Sequence, residues 1–307
     1  MKKEKISFVI PCYKSELTIE KVYTGIKNTM DNSEYDYEII FVNDGSPDKT
    51  MDKLQSIALS DRKVVAVNLS RNFGQHSALM AGYSQVTGDY VLGMDDDGEH
   101  NPKDLFKLLN KLKEGYDYVC AKFPDDNRTL YKKIGSKINN YIATKLIGKP
   151  KNAIFSSYYV MRRFVVDQVL NLPNKHPYVG GMIVAVTQSL SSVEIERNKR
   201  YAGTSSYHFR NSFNLLFNGI TSYSIVPLQI STYIGILSSV IGFLIGIVAV
   251  VRKLIHPEIL AGYTSYLATL LIIGGILMLQ IGMVGEYVGR TYILENKLPQ
   301  YVIRNIV

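Results

Sequence analysis

A parallel-sheet α/β domain followed by two transmembrane helices is the architecture this sequence predicts, and three observations carry it. Through residues 1–210, short apolar runs alternate with amphipathic stretches of helix length, and polar turns separate them. That is the pattern of strand–helix–strand units. From Asn211 to Val251, and again from Ile259 to Gly285, the chain carries no Asp, Glu, Lys, Arg or His. One strand-like run, Tyr90–Met94, ends in three successive acids, Asp95, Asp96 and Asp97.

The elements follow in order. Ile6–Ile10 is an apolar run stopped by Pro11, and Ser15–Met30 reads as a helix. Tyr37–Val42 is the second strand and stops at the turn cluster Asn43-Asp44-Gly45-Ser46-Pro47. Asp48–Leu59 is a helix and Lys63–Leu69 the third strand. Gly74–Val86 is helical, and the preceding Arg71-Asn72-Phe73 meets its free N–H groups, which favour negative charge nearby. Tyr90–Met94 is the fourth strand, and Pro102 opens a helix to Leu112 with Asn101 as its cap. Tyr116–Ala121 and Val193–Arg197 complete the strands.

Between them, Arg128–Lys151 carries seven basic residues and no acid, with Ile134, Ile138, Ile142 and Leu146 four apart. The pattern reads equally as a helix lying among lipid headgroups or as an amphipathic helix packed on the sheet.

Tyr233–Val251 and Tyr266–Val284 each hold 19 mostly apolar residues. At ~1.5 Å per residue, each approaches the ~30 Å of a bilayer core. Gly242 and Gly246 form a small-xxx-small pair that can let helices approach. Phe213–Ser224, apolar and aromatic, is expected at the membrane interface. The resulting division is a domain over 1–210, an interfacial segment over 211–232, two spans within 233–285 and a tail over 286–307.

The first apolar run is too short for a signal peptide. Two cysteines far apart, Cys12 and Cys120, suit a reducing compartment. The domain is therefore expected in the cytoplasm, and two spans return the tail to the same side. A formal charge of +8 suits anionic partners such as nucleotide or lipid phosphates.

Ligands of open α/β sheets gather beyond the carboxyl ends of the strands. Here those ends carry Pro11-Cys12-Tyr13, Asn43-Asp44-Gly45, Ser70-Arg71-Asn72 and Asp95-Asp96-Asp97. Three adjacent carboxylates repel one another, and a hard divalent cation bridging to nucleotide phosphates is the usual compensation. An exposed acidic turn is the plainer alternative. Tyr13 can stack on a base or simply pack, and Asp44 can read a base edge or only shape its turn. His76 and His100 are left out of the metal set, because a lone His is more often a surface or cap residue. Lys199–Tyr207, a basic pair leading into Gly, Ser and Thr, can close over a diphosphate or be an exposed loop.

Val9-Ile10-Pro11-Cys12-Tyr13, Val42-Asn43-Asp44-Gly45-Ser46, Leu69-Ser70-Arg71-Asn72-Phe73-Gly74 and Met94-Asp95-Asp96-Asp97 together resemble glycosyltransferase family 2, with its Rossmann-like GT-A fold. Gly285-Glu286-Tyr287-Val288-Gly289-Arg290-Thr291-Tyr292 after the spans, and then Pro299-Gln300-Tyr301-Val302, narrow the resemblance to bacterial polyprenyl-phosphate glycosyltransferases. The resemblance implies inverting transfer of one sugar from a nucleotide sugar (UDP favoured, GDP possible) to a polyprenyl phosphate such as undecaprenyl phosphate. It places Pro11, Tyr13, Glu16 and Asp44 around the nucleoside, with Arg71 and Asp96 in the donor-binding set. Asp95 and Asp97 hold the ribose and Mg2+ or Mn2+, and Arg200 joins them in the catalytic set from a loop on the diphosphate.

It also implies a multi-pass protein of the bacterial inner membrane and a homo-oligomer, often a tetramer. Nucleic acid is not an expected partner. The chain departs from the family in two places. Gly203-Thr204-Ser205-Ser206-Tyr207 lacks the usual loop lysine, leaving Arg200, Lys199 or Arg210 to neutralise phosphate, and Asn152–Met161 contains no acid. Arg128, Lys132 and Lys137 are the candidates for guiding the acceptor phosphate. The rival readings are a processive polysaccharide synthase, disfavoured by the absence of Trp, and an inactive lipid-binding scaffold.

Overall fold

The computed structural model describes residues 3–124, 154–172, 177–198, 226–255, 262–295 and 299–307. The chain divides into two compact units, Met1–Gly219 with Leu298–Val307, and Ile220–Lys297.

β1 (Lys5–Cys12), β2 (Asp36–Asn43), β3 (Val64–Leu69) and β4 (Tyr90–Gly93) run parallel in the order β4-β1-β2-β3. Their crossovers are α1 (Ile19–Met30), α2 (Thr50–Ser60) and α3 (Gln75–Tyr83). Helices cover both faces of the central strands, so β1 is buried continuously from Ile6 to Ile10 instead of alternating. On one face Phe8 and Ile10 pack with Ile19, Val22 and Ile26 of α1 and Leu54 of α2. On the other, α3 approaches so closely that a Cβ on Gly82 would overlap Val9. The order reverses after β3, and the chain crosses β2 and β1 to reach β4. The carboxyl ends of β1 and β4 therefore flank a topological switch point, where such sheets bind ligands.

The rest of the sheet is mixed rather than parallel. A 3-10 turn, Pro102–Asp104, leads into α4 (Leu105–Lys113), and Asn101 Oδ1 accepts from the Lys103 N–H at 3.1 Å as the expected cap. β5 (Tyr118–Lys122) does not pair with β4, because β6 (Tyr159–Arg162) lies antiparallel between them. The physical reason sits at Gly93, where a Cβ would overlap the Tyr159 ring. The missing side chain leaves room for a tyrosine whose hydroxyl meets that of Tyr83 from α3.

α5 (Arg163–Leu170) and α6 (Val179–Val186) follow, then β7 (Leu190–Glu194), which pairs with β5. β7 ends three residues before the expected Arg197, which leaves the sheet to pair with Glu99 at 2.9 Å. β8 (Ile303–Ile306) closes the opposite edge antiparallel to β3, so the stretch read as a tail supplies a strand. The full order is β7-β5-β6-β4-β1-β2-β3-β8.

In the second unit, α7 (Val226–Ile255) and α8 (Tyr263–Glu295) are 30 and 33 residues long. Their apolar windows, Leu228–Val248 and Ile272–Gly289, have mean hydropathies of 2.0 and 1.5 and are 6% and 0% buried. Helices this long, apolar and uncovered are suited to lipid, not to a soluble core. Among the described residues nothing lies within 4 Å of a Cβ at Gly242 or Gly246, so neither marks a helix contact there. The close approach is at Gly235 instead, against Gln280, whose Nε2 donates to the Ser231 carbonyl at 3.2 Å.

At the amino end of β2, buried Glu38 accepts from Ser7 Oγ at 2.5 Å, Lys5 Nζ at 2.6 Å, and the Thr87 N–H and hydroxyl at 2.6 and 2.7 Å. Burial pushes this carboxyl up, and the bonds from Lys5, Ser7 and Thr87 outweigh it, leaving the group below its ordinary value. A carboxylate lowered in this way stabilises the fold above the ~4.3 of an unfolded Glu and loses that contribution as pH falls through the folded value. Glu38→Gln is expected to cost about 1–3 kcal/mol at neutral pH. Its Tm deficit should shrink on acidification below about pH 4, which paired thermal melts across pH check.

Candidate active site

The four strand ends meet through hydrogen bonds that tie each loop to the next. Asp44, 3% exposed at the end of β2, accepts from the Phe73 and Gly74 N–H groups at 2.7 and 2.9 Å. Phe73 and the N-cap Gly74 immediately precede α3, so this carboxylate fixes the chain's entry into that helix. Burial pushes the Asp44 carboxyl above its ordinary value, and the two N–H bonds oppose that. Gly45 makes the turn possible. Its φ is 62°, and a Cβ there would stand 2.5 Å from the Asn72 nitrogen, so only glycine fits.

One residue into α3, Gln75 Nε2 donates to Asp95 Oδ1 at 2.9 Å. Ser15, after β1, donates its hydroxyl to Asp96. The three acids therefore face different surroundings. Burial pushes the Asp96 carboxyl up to about 7, the Ser15 hydroxyl opposes this, and the charges of Asp95 and Asp97 add to it. Asp95 and Asp97 stay half-buried at the rim, and Asp97 Oδ1 accepts from the Glu99 N–H at 3.0 Å. A proton shared at Asp96 relieves part of the repulsion within the turn.

His100 is a structural residue that sequence reasoning sets aside. It is 4% exposed, its Nδ1 accepts from the Asp95 N–H at 3.1 Å, and its ring stacks on Tyr158 with centroids 4.8 Å apart. Burial lowers its pKa, so the neutral ring that this bond requires is also the form the surroundings favour. The partner Tyr158 directly precedes β6, and no local signal announces it. His76, at the start of α3, stands edge-on to Tyr178 with centroids 5.6 Å apart, and burial pushes it down to about 4. Neither histidine joins the rim acids in a metal-binding group.

The predicted donor residues collect at this rim. Tyr13 is 47% exposed beside Lys14, which stands 5.5 Å over its ring. Glu16 Oε2 accepts from the Lys49 N–H at 3.1 Å, joining the loops after β1 and β2. Pro11 lies in β1 opposite Val42, and exposed Arg71 stands 4.3 Å over the Phe73 ring. Arg197 is paired with Glu99, and the Asn198 N–H donates to the Glu99 carbonyl at 2.9 Å. The chain thus reaches the acidic turn two residues before Arg200. Arg200 itself, Arg128, Lys132 and Lys137 lie outside the described residues, as do the Lys199–Tyr207 loop and Phe213–Ser224. A cavity of about 340 Å3 lined by Lys5, Asp36, Lys63 and Asp89 sits at the amino ends of the strands, away from this site.

The acids fit a cation shared with a ligand. Among the described residues no group of three or more His, Cys, Asp or Glu could enclose a metal. A small hard cation such as Mg2+ or Mn2+ does not need one, since it is commonly bound through one or two carboxylates plus substrate phosphates. Asp95 and Asp97, two residues apart at the rim and steadied by Gln75 and the Glu99 N–H, match that donor set.

An open α/β sheet with an acidic turn at its switch point is the frame of nucleotide-sugar transferases of the GT-A type. A family model for glycosyl transferase family 2 matches residues 7–170. The chain is 34% identical to a prophage bactoprenol glucosyl transferase homolog of Escherichia coli K12, covering 98% of this chain and 99% of that protein. It is 30% identical to an undecaprenyl-phosphate 4-deoxy-4-formamido-L-arabinose transferase of Proteus mirabilis, over 99% and 94%. Glucosyl-3-phosphoglycerate synthase of Mycobacterium tuberculosis, solved with Mn2+, UDP-glucose and phosphoglyceric acid, shares the fold at a TM-score of 0.54 and 20% identity. That match covers 72% of this chain and 78% of the synthase. This chain belongs to glycosyltransferase family 2 and is a glycosyltransferase.

Asp44→Asn replaces one acceptor with an NH2 group facing a backbone N–H. The variant is expected to lose about 1–3 kcal/mol of stability, read by thermal unfolding in detergent.

Proposed function

We propose that this glycosyltransferase moves one sugar from a nucleoside-diphosphate sugar, a UDP sugar before a GDP sugar, onto a polyprenyl phosphate such as undecaprenyl phosphate. The observation that carries the reading is one chain joining an acid-rimmed donor site to two uncovered apolar helices. Full-length relatives named for bactoprenol and undecaprenyl phosphate support it.

The chemistry suits the residues. A monoester phosphate has its second pKa near ~6, so the attacking oxygen is largely ionised at neutral pH. Little proton remains for a general base to remove, and the absence of an acid from Asn152–Met161 is no obstacle. That oxygen attacks the anomeric carbon as the bond to the diphosphate breaks on the opposite face, which inverts the configuration and releases the nucleoside diphosphate. When bound between Asp95 and Asp97, Mg2+ or Mn2+ supplies Lewis-acid stabilisation of the leaving diphosphate.

Tyr13 offers a ring face to the base. Asp44 holds the helix start whose N–H groups favour phosphate. Asp96, Glu16, Pro11 and Arg71 shape the surrounding pocket. Arg200 is assigned to the diphosphate, and Arg128, Lys132 and Lys137 to the acceptor phosphate, all from the sequence.

The domain and the segment after α8 share one sheet, so an even number of crossings separates them. Two spans in a bacterial inner membrane satisfy that. Buried Cys12 and Cys120 form no disulfide, which agrees with the donor domain on the cytoplasmic side. A homo-oligomer, a tetramer by resemblance, belongs to the same reading.

Labelled UDP-glucose, undecaprenyl phosphate and Mn2+ in proteoliposomes provide the test, with a panel of other nucleotide sugars beside it. Asp97→Asn is expected to lower glycolipid formation about 10²-fold or more, and EDTA should abolish it. Undiminished synthesis in either case sinks the metal assignment. Arg128→Glu should raise the KM for the lipid and leave that for the nucleotide sugar unchanged; an equal rise in both would remove Arg128 from the acceptor site.

A further inference from the structure

We propose that the C-terminal strand β8 is a positioning element of the donor site, acting through a row of hydrogen bonds across the rim of the sheet. The row begins where the Lys14 N–H donates to Ser46 Oγ at 2.7 Å. The Ser46 N–H donates to Asn43 Oδ1 at 3.3 Å, Asn43 Nδ2 to Asn68 Oδ1 at 2.9 Å, and Asn68 Nδ2 to Asn305 Oδ1 at 3.0 Å. Every intermediate residue accepts from one neighbour and donates to the next. All four bonds point the same way, and the Asn43 and Asn68 amides each accept at Oδ1 and donate at Nδ2, so each passes polarisation to the bond beyond it. Strand pairing sets the spacing, since Asn43 is the cross-strand partner of Asn68, and Asn68 of Asn305.

Asparagine is a poor strand former, and a parallel sheet flanked by helices has no need of one in three neighbouring strands. The functional ends of the row explain the choice. Asn43 is 3% exposed and directly precedes Asp44, so the amide that binds Asn68 also holds the turn presenting Asp44. Lys14 stands between Tyr13 and Ser15 with φ at 60°, a left-handed conformation that a lysine keeps only when its surroundings impose it. Ser15 in turn binds Asp96.

A second tie reaches the same rim. The Ser70 N–H donates to the Val302 carbonyl at 2.9 Å, and Arg304 Nη2 to the Ser70 carbonyl at 3.2 Å, one residue before Arg71. The loops after β1, β2 and β3 are therefore all held, directly or through one another, by residues that follow the second apolar helix in sequence.

The inference rests on the assignment of this rim to a nucleoside diphosphate, and the experiment separates the two. UDP with Mn2+ is titrated calorimetrically into the full chain in detergent, and both KM values are measured in proteoliposomes. Asn305→Ala is expected to weaken UDP binding about 3–10-fold and to raise the donor KM without moving the acceptor KM. Asn68→Asp, which keeps the acceptor for Asn43 and loses the donor to Asn305, should match it. Asn305→Asp keeps the acceptor oxygen and should bind like wild type, within about twofold. Val307→Ala removes core packing beside the row and should lower Tm while leaving UDP affinity alone. Unchanged affinity in Asn305→Ala and Asn68→Asp overturns the relay, as does an equal loss in Val307→Ala. A wild-type protein that binds neither UDP nor GDP overturns the donor-site reading, and this inference with it.

Discussion

Negative charge crowded at the carboxyl ends of parallel strands is the constraint around which this domain is arranged. Asp44, Asp95, Asp96, Asp97 and Glu99 all gather there, at the place assigned to a diphosphate that is itself anionic. Among the described residues, the fold spreads this load over separate donors. Asp44 is held by two backbone N–H groups, Asp95 by the Gln75 amide, and Asp96 by the Ser15 hydroxyl with its pKa raised toward neutrality. Glu99 takes a full positive partner, Arg197. Neutral donors thus hold Asp44, Asp95 and Asp96 in place around the proposed cation site.

The amino end of the same sheet handles a carboxylate differently. Glu38 is paired with Lys5 and bonded to Ser7 and Thr87, a closed network with nothing left to offer a ligand. One end is satisfied and structural. At the other, the acids are steadied by weak donors, the arrangement expected where binding must remain possible. The helical unit follows a third rule, with apolar side chains left uncovered along both long helices and, among the described residues, an interhelical bond from Gln280.

Much of the first unit was legible because its elements obey simple periodicities. Buried strands such as Phe8–Ile10 and Ile39–Val42 read as continuous apolar runs, and Asn43-Asp44-Gly45 and Asn101-Pro102 mark their turns with residues of known preference. The candidates Pro11, Tyr13, Asp44, Arg71 and Asp95–Asp97 were chosen for the same reason, since each sits where such a strand stops. α6 was not, because Val-Gly-Gly-Met-Ile-Val-Ala-Val is apolar on every side and carries no helical period. The antiparallel entry of β6 between β4 and β5 was not legible, since strand order and direction leave no trace in composition. The role of His100 was also hidden, because the tyrosine that stacks on it lies 58 residues further along the chain.

Local chemistry in the sequence determined the strands with their polar endings, the acidic turn and the two lipid-length helices, since each depends only on neighbours along the chain. Tertiary structure alone decided that β6 enters beside Gly93, that Asp44 is spent on the start of α3, and that the last residues return to pair with β3. Those outcomes depend on which strands become neighbours in space. Pairing is set by packing volume and by hydrogen bonds between residues as far apart as Asn68 and Asn305, a separation over which no local preference acts.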